Sequence, residues 1–79
     1  MRMRNVEEIL RGFIGKELNT EDIITELNLE ENIIINEVEG YITNFDGHGQ
    51  CGLWELELED TEEEYKIFVD VDNIIVEIK

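Results

Sequence analysis

From Leu53 onward, apolar residues fall at nearly every second position. "LWELELE" (53–59) and "YKIFVDV" (65–71) alternate apolar with polar, and "IIVEIK" (74–79) follows with a denser apolar run. A period of two is the mark of a strand with one buried face. These segments predict three strands, the first two joined by the acidic turn "DTEEE" and the last two by a tight turn at Asp72–Asn73. "NIIINEVEGYITNF" (32–45) predicts a longer strand before them, with Gly40 as a bulge or bend, and the glycine-rich "DGHGQCG" connects it onward. Upstream the period changes. Val6, Ile9, Leu10 and Phe13 recur at helical spacing, with Asn5 as cap, Gly12 inside the helix and Gly15 at its stop. A second helix is expected from Thr20 as N-cap, with Glu21 and Asp22 in its first turn and Ile24 and Leu27 buried.

The expected fold is α+β, in the order ααββββ. Two N-terminal helices pack on one face of a four-stranded antiparallel meander, a single domain spanning residues 1–79. Alternation assigns Trp54, Leu56, Leu58, Ile67, Val69, Val71, Ile74, Val76 and Ile78 to the helix-covered face. It assigns Glu55, Glu57, Glu59, Lys66, Phe68, Asp70, Asp72, Ile75, Glu77 and Lys79 to the opposite face, with Glu37 and Glu39 joining from the first strand.

Charge turns that opposite face into the main clue. The chain carries 21 acids against 6 Lys and Arg, a formal net charge of −15 over 79 residues. Solubility of a small domain needs only about 2–8 charges of either sign. Residues 1–16 hold four bases and two acids, while residues 17–79 hold two bases and nineteen acids. Such a surface repels nucleic acid and anionic membrane and attracts basic proteins. The chain lacks Ala, Ser and Pro and has twelve Ile and seven Asn, the look of an AT-rich coding background. That background ordinarily raises lysine, yet only Lys16, Lys66 and Lys79 occur. A single cysteine, Cys51, excludes an intrachain disulfide and fits a cytoplasmic setting. "MRMRNVEEIL" has no apolar core of a signal peptide, and no apolar run reaches bilayer-spanning length.

Same-side residues on a strand lie about 6.7 Å apart. Two like charges at that distance in water repel by roughly 0.6 kcal/mol. Summed over an acidic plate this reaches a few kcal/mol, against a total stability of about 4–12 kcal/mol for a chain of this size. The functional reading is a carboxylate array that occupies the Lys/Arg groove of a nucleic-acid-binding protein. Glu37, Glu39, Glu55, Glu57, Glu59, Asp70, Asp72 and Glu77 would supply charge, and Phe68, Ile75 and Tyr41 apolar anchors. The plainer reading is a solvated acidic face, or an oligomerising one. An alternative is a homodimer, either with the basic N-terminal segment meeting the acidic face of a second copy or through sheet edges that lack Pro and are poor in Lys.

In size, acidity and small α+β build the chain resembles the phage and mobile-element inhibitors that block CRISPR effectors or restriction enzymes. The resemblance implies a non-enzymatic inhibitor that binds a defence nuclease in the bacterial cytosol and prevents it from engaging DNA. An immunity protein or antitoxin against a toxin nuclease would use the same physics.

Other motifs carry less. His48 and Cys51 in "GHGQC" supply two zinc ligands where a structural site needs four, and no third group supports nucleophilic catalysis. The plainer reading is a hairpin loop. "DVDN" (70–73) resembles half a calcium loop but lacks its glycine and its bidentate glutamate. Glu62, Glu63 and Glu64 read as a solvated turn. "MRMR" with Arg11 and Lys16 is too small a basic patch to bring an acidic body to nucleic acid. No catalytic residue, metal or cofactor is expected.

Overall fold

The structure is a computed structural model, and it describes residues 6–27, 32–45, 47–59 and 61–79. Six elements follow in order: α1 (Val6–Arg11), α2 (Thr20–Leu27), β1 (Ile33–Phe45), β2 (Gly49–Leu58), β3 (Glu63–Val69) and β4 (Ile75–Ile78). The four strands form one antiparallel sheet in the order β1-β2-β3-β4. The protein is therefore α+β, with two short helices and a four-stranded antiparallel sheet. No helix among the described residues is long and apolar enough to cross a membrane.

Both helices are shaped by what flanks them. α1 ends at Arg11, one residue before Gly12, whose N–H is shared between the carbonyls of Glu8 and Ile9. Gly12 thus closes the helix instead of sitting inside it. Gly15, at φ +94°, turns the chain out of the last coil. The cap of α2 is Asn19, one residue before the expected Thr20. Its Oδ1 accepts from the N–H groups of Glu21 and Asp22 at 3.0 and 3.2 Å. Starting from Asn19, the helix turns Ile23 and Leu27 inward, and Ile24 is exposed. The expected cap Asn5 lies outside the described residues.

The core gathers Val6, Leu10, Leu18, Ile23 and Leu27 from the N-terminal third against Leu56, Leu58, Ile67, Val69, Ile75 and Ile78 from the sheet. Ile33, Ile35, Trp54 and Tyr65 pack around it. Trp54, Leu56, Leu58, Ile67, Val69 and Ile78 are thus buried or half-buried as alternation requires. β4 departs from alternation. Ile67 pairs with Ile78 and Phe68 with Glu77, but Val69 pairs with Ile75, so Val76 is an extra residue in a bulge. The bulge reverses the phase of the strand before it. Ile75, expected on the open face, is therefore a core residue at 1% exposure. Val71, expected in the core, lies in the turn at 78% exposure, and Ile74 and Val76 are only half-buried.

The two edges of the sheet differ. Beyond β4, the segment Gly15–Leu18 runs alongside it. Gly15 donates to the Ile75 carbonyl, Ile75 to Lys16 and Leu18 to Asn73, with Glu17 bridging Ile74. β1, at the other edge, is hydrogen-bonded to β2 on its inner side. Its register runs from Ile33↔Leu58 to Val38↔Leu53, then resumes at Thr43↔Cys51. Four residues, 39–42, therefore stand opposite Gly52 alone, and Gly40 at φ +79° supplies the left-handed backbone that lets them bulge.

Candidate interaction surface

Cross-strand pairing shows which residues share the face opposite the core. Val38, Leu53, Phe68 and Glu77 form one row across β1 to β4. Asn36, Glu55 and Lys66 form the next, with Lys79 hydrogen-bonded through its backbone to Lys66. Ile34, Glu57 and Glu64 form the third. This face is not a uniform acidic plate. It passes from an apolar end, through a charge-balanced middle, to an acidic end.

The apolar end is a second small core. Cys51, Leu53 and Phe68 are buried although they lie on the sheet face opposite Leu56, Leu58 and Ile67. The β1 bulge delivers Tyr41 to the Phe68 ring at 6.1 Å between centroids, and the Lys79 ammonium lies 5.8 Å over the same ring. Phe68, expected as an exposed anchor for a partner, is thus covered by the protein itself. Glu37 also needs correction. It pairs with Trp54 on the side of Ile33 and Ile35, and so lies on the core-side face, exposed beside the indole. Glu39 belongs to the bulge between the two registers of β1.

Asp70 and Asp72 stand at the far end of the sheet from the acidic row. Seven residue steps along the strand separate Glu63 from Asp70, about 23 Å. The Asp70 carboxylate accepts from the N–H groups of Asp72 and Ile74, both at 2.9 Å, and Asn73 takes the left-handed position at φ 66°. These aspartates shape a turn, and the ten expected interface residues do not form one patch.

Charge concentrates instead at the β2–β3 hairpin. Glu57, Glu59, Glu62, Glu63 and Glu64 are all exposed there, and Glu57 lies directly opposite Glu64. One row away, Glu55 lies opposite Lys66, so its charge is balanced across the strands. Glu62 adopts φ 61°, a conformation that glycine or asparagine takes at lower cost, while its N–H closes the turn onto the Leu58 carbonyl. Tyr65 donates its hydroxyl to Glu63 at 3.0 Å. Asp60 of the expected turn lies outside the described residues. From sequence alone Glu62–Glu64 are a solvated turn. The signal that marks them is the register, which sets Glu57 against Glu64.

The remaining motifs are placed plainly. His48 is exposed in the turn between β1 and β2, whereas Cys51 is buried within β2 with its thiol toward the Gly49 carbonyl. No cluster of three or more metal-ligating side chains occurs among the described residues. Arg11 is ion-paired with Glu7 at 2.9 Å, and the Lys16 ammonium lies over the Phe13 ring. The "MRMR" segment lies outside the described residues. An open groove of about 500 Å³ separates the helices, floored by Ile9 and Phe13 and rimmed by Glu17, Asp22 and Lys16.

No protein-family model matches this chain, and neither a curated protein nor a solved structure shows significant similarity to it.

Proposed function

We propose that this protein is a non-enzymatic inhibitor whose acidic β2–β3 hairpin occupies the basic, nucleic-acid-binding surface of a partner protein. A defence nuclease, such as a CRISPR effector or restriction enzyme, is the partner class the chemistry suits. The reading takes both helices as covering one sheet face and leaves the hairpin end to the partner.

One observation carries it. Glu57 faces Glu64 across the strands, next to a turn that holds Glu62 in a left-handed conformation. Like charges directly opposite one another destabilise a sheet, and a non-glycine residue in that region is strained. Folding stability favours neither arrangement, so both point to a role outside folding. A basic groove would relieve the repulsion, and the overall −15 charge would steer the encounter.

The test is capture from bacterial lysate on the immobilised full chain, with bound proteins challenged by duplex DNA and identified. The expected result is a DNA-binding protein that DNA displaces, and whose capture is lost in Glu57→Lys/Glu59→Lys but kept in Glu21→Lys and Asp72→Lys. Equal loss in all these variants would reduce the interaction to net charge. Unchanged capture by Glu57→Lys/Glu59→Lys would remove the hairpin from the interface.

A further inference from the structure

Among the described residues the outer side of β1 pairs with no other strand, and this edge has an unusual sequence. Residues 32–36 of β1 and its approach read Asn-Ile-Ile-Ile-Asn, the same in both directions. A palindrome in a strand is self-complementary in antiparallel pairing, because rotation about its central residue places each side chain opposite its own kind. We propose that β1 pairs edge to edge with β1 of a second copy, about a two-fold axis at Ile34, joining the two sheets into one of eight strands.

Backbone geometry supports this register. The Glu59 N–H donates to the Asn32 carbonyl at 3.0 Å, so Asn32 points its peptide groups toward β2. Alternation along the strand turns those of Ile34 and Asn36 inward as well, and those of Ile33 and Ile35 toward the open edge. In a dimer centred on Ile34, Ile33 of each copy meets Ile35 of the other as a hydrogen-bonded pair. Four backbone hydrogen bonds then cross the seam, all from groups the monomer leaves at its edge. Ile34 meets Ile34 as a non-hydrogen-bonded pair, the geometry in which side chains approach most closely.

Side chains agree with the backbone. Ile33, Ile34 and Ile35 are only half-buried in the monomer, and Ile33 and Ile35 already lie against the core beside Leu58 and Leu56. Pairing continues that apolar face across the seam with four isoleucines. The stretch from Asn32 to Asn36 carries no charge in a chain of −15, and Glu31 and Glu37 bracket it in the sequence. Glu37 ends the uncharged stretch on its described side, and in a chain of −15 its charge limits the ladder to the palindrome. The two-fold axis makes the contact isologous, so this pairing ends at two copies, and Gly15–Leu18 covers the other side of the sheet at Asn73–Ile75.

The test is sedimentation of the full chain from about 5 to 500 μM, at about 0.05 and 0.5 M salt. A reversible dimer that tightens at high salt is expected, because the bracketing charges repel. Ile34→Lys should abolish it; the new ammonium lies beside Glu57 of its own copy, so the monomer fold is retained. Ile34→Cys should form a disulfide-linked dimer on oxidation, whereas Asn36→Cys should not, because it meets Asn32. A chain monomeric throughout the range would sink the proposal. So would a dimer indifferent to Ile34→Lys, or one that links more readily through Asn36→Cys than through Ile34→Cys.

Discussion

The two short hairpins of the sheet solve the same problem in opposite ways. The β3–β4 turn places an asparagine, Asn73, at its left-handed position and occupies the Asp70 carboxylate with two backbone N–H groups. Asparagine reaches that conformation at low cost, and an Asx turn satisfies donors that would otherwise depend on water. The β2–β3 turn places a glutamate, Glu62, in the same region and surrounds it with exposed carboxylates. One turn is built for stability, and there the acids serve the fold. At the other the acids are spread outward and the fold bears the strain. Residue type alone does not separate these roles, since both turns are acidic. Hydrogen-bond partners and backbone angles do.

The largest effect is expected at the stable turn. Asp70→Ala leaves the N–H groups of Asp72 and Ile74 without their acceptor, and the half-buried Ile74 amide is the harder one to rehydrate. A loss of about 1–3 kcal/mol is expected in urea unfolding. Asp70→Asn keeps an oxygen at the same place and should retain most of the stability. If Asp70→Asn unfolds as readily as Asp70→Ala, the charge matters and the turn geometry does not. Capture of a partner should be unaffected by either change, because this turn lies about 23 Å from the acidic end.

How legible these features were in the sequence depends on what determines each one. The α+β class and the inward set Trp54, Leu56, Leu58, Ile67, Val69 and Ile78 followed from alternation, because Trp54–Leu58 alternates apolar with acidic residues and pairs with β3 in an unbroken register. Ile75 was hidden by the bulge at Val76, where "IIV" offers three consecutive apolar residues and no phase. Glu37 was misplaced for a related reason. The run Ile33–Ile35 has no alternation, and only pairing with β2 shows that Glu37 follows the side of Trp54. Phe68 looked exposed because its cover, Tyr41, comes from 27 positions earlier through a bulge whose path no local pattern specifies. Asn19 and Thr20 are both competent caps, and a cap at Asn19 instead of Thr20 shifts the helix phase by one residue, from Ile24 to Ile23. The acidic end was visible as charge. Its like-charge row was not, because register depends on both strands at once.

The strained turn offers an effect of opposite sign. Glu62→Gly removes a side chain from a left-handed residue, which should stabilise the protein by about 1 kcal/mol. The gain would be partly offset by the wider conformational freedom of glycine in the unfolded chain. The variant also deletes one carboxylate from the acidic end, so partner capture should weaken while the unfolding midpoint rises. An unchanged or lowered midpoint would mean that Glu62 is not strained, and half of the contrast between the two turns would go with it.

The smallest change in stability is expected at Glu64, and it separates the folding role of the acidic row most cleanly from its binding role. Glu64→Lys turns the pair with Glu57 from like to opposite charge at a directly facing position. Such pairs are worth roughly 0.2–1 kcal/mol in a sheet. The neighbouring Lys66, on the same side of β3, takes back part of that gain. Raising the salt should shrink the difference from the parent chain, since the whole effect is electrostatic and exposed. Binding should move the other way. The substitution removes one acid and adds one base within the row proposed to meet a basic groove, so capture should fall although the fold is firmer. A variant both more stable and weaker in binding would show that the row is kept against the interest of folding. If stability rises and binding does not change, the acidic end is a solvated surface, and the plainer reading of the charge prevails.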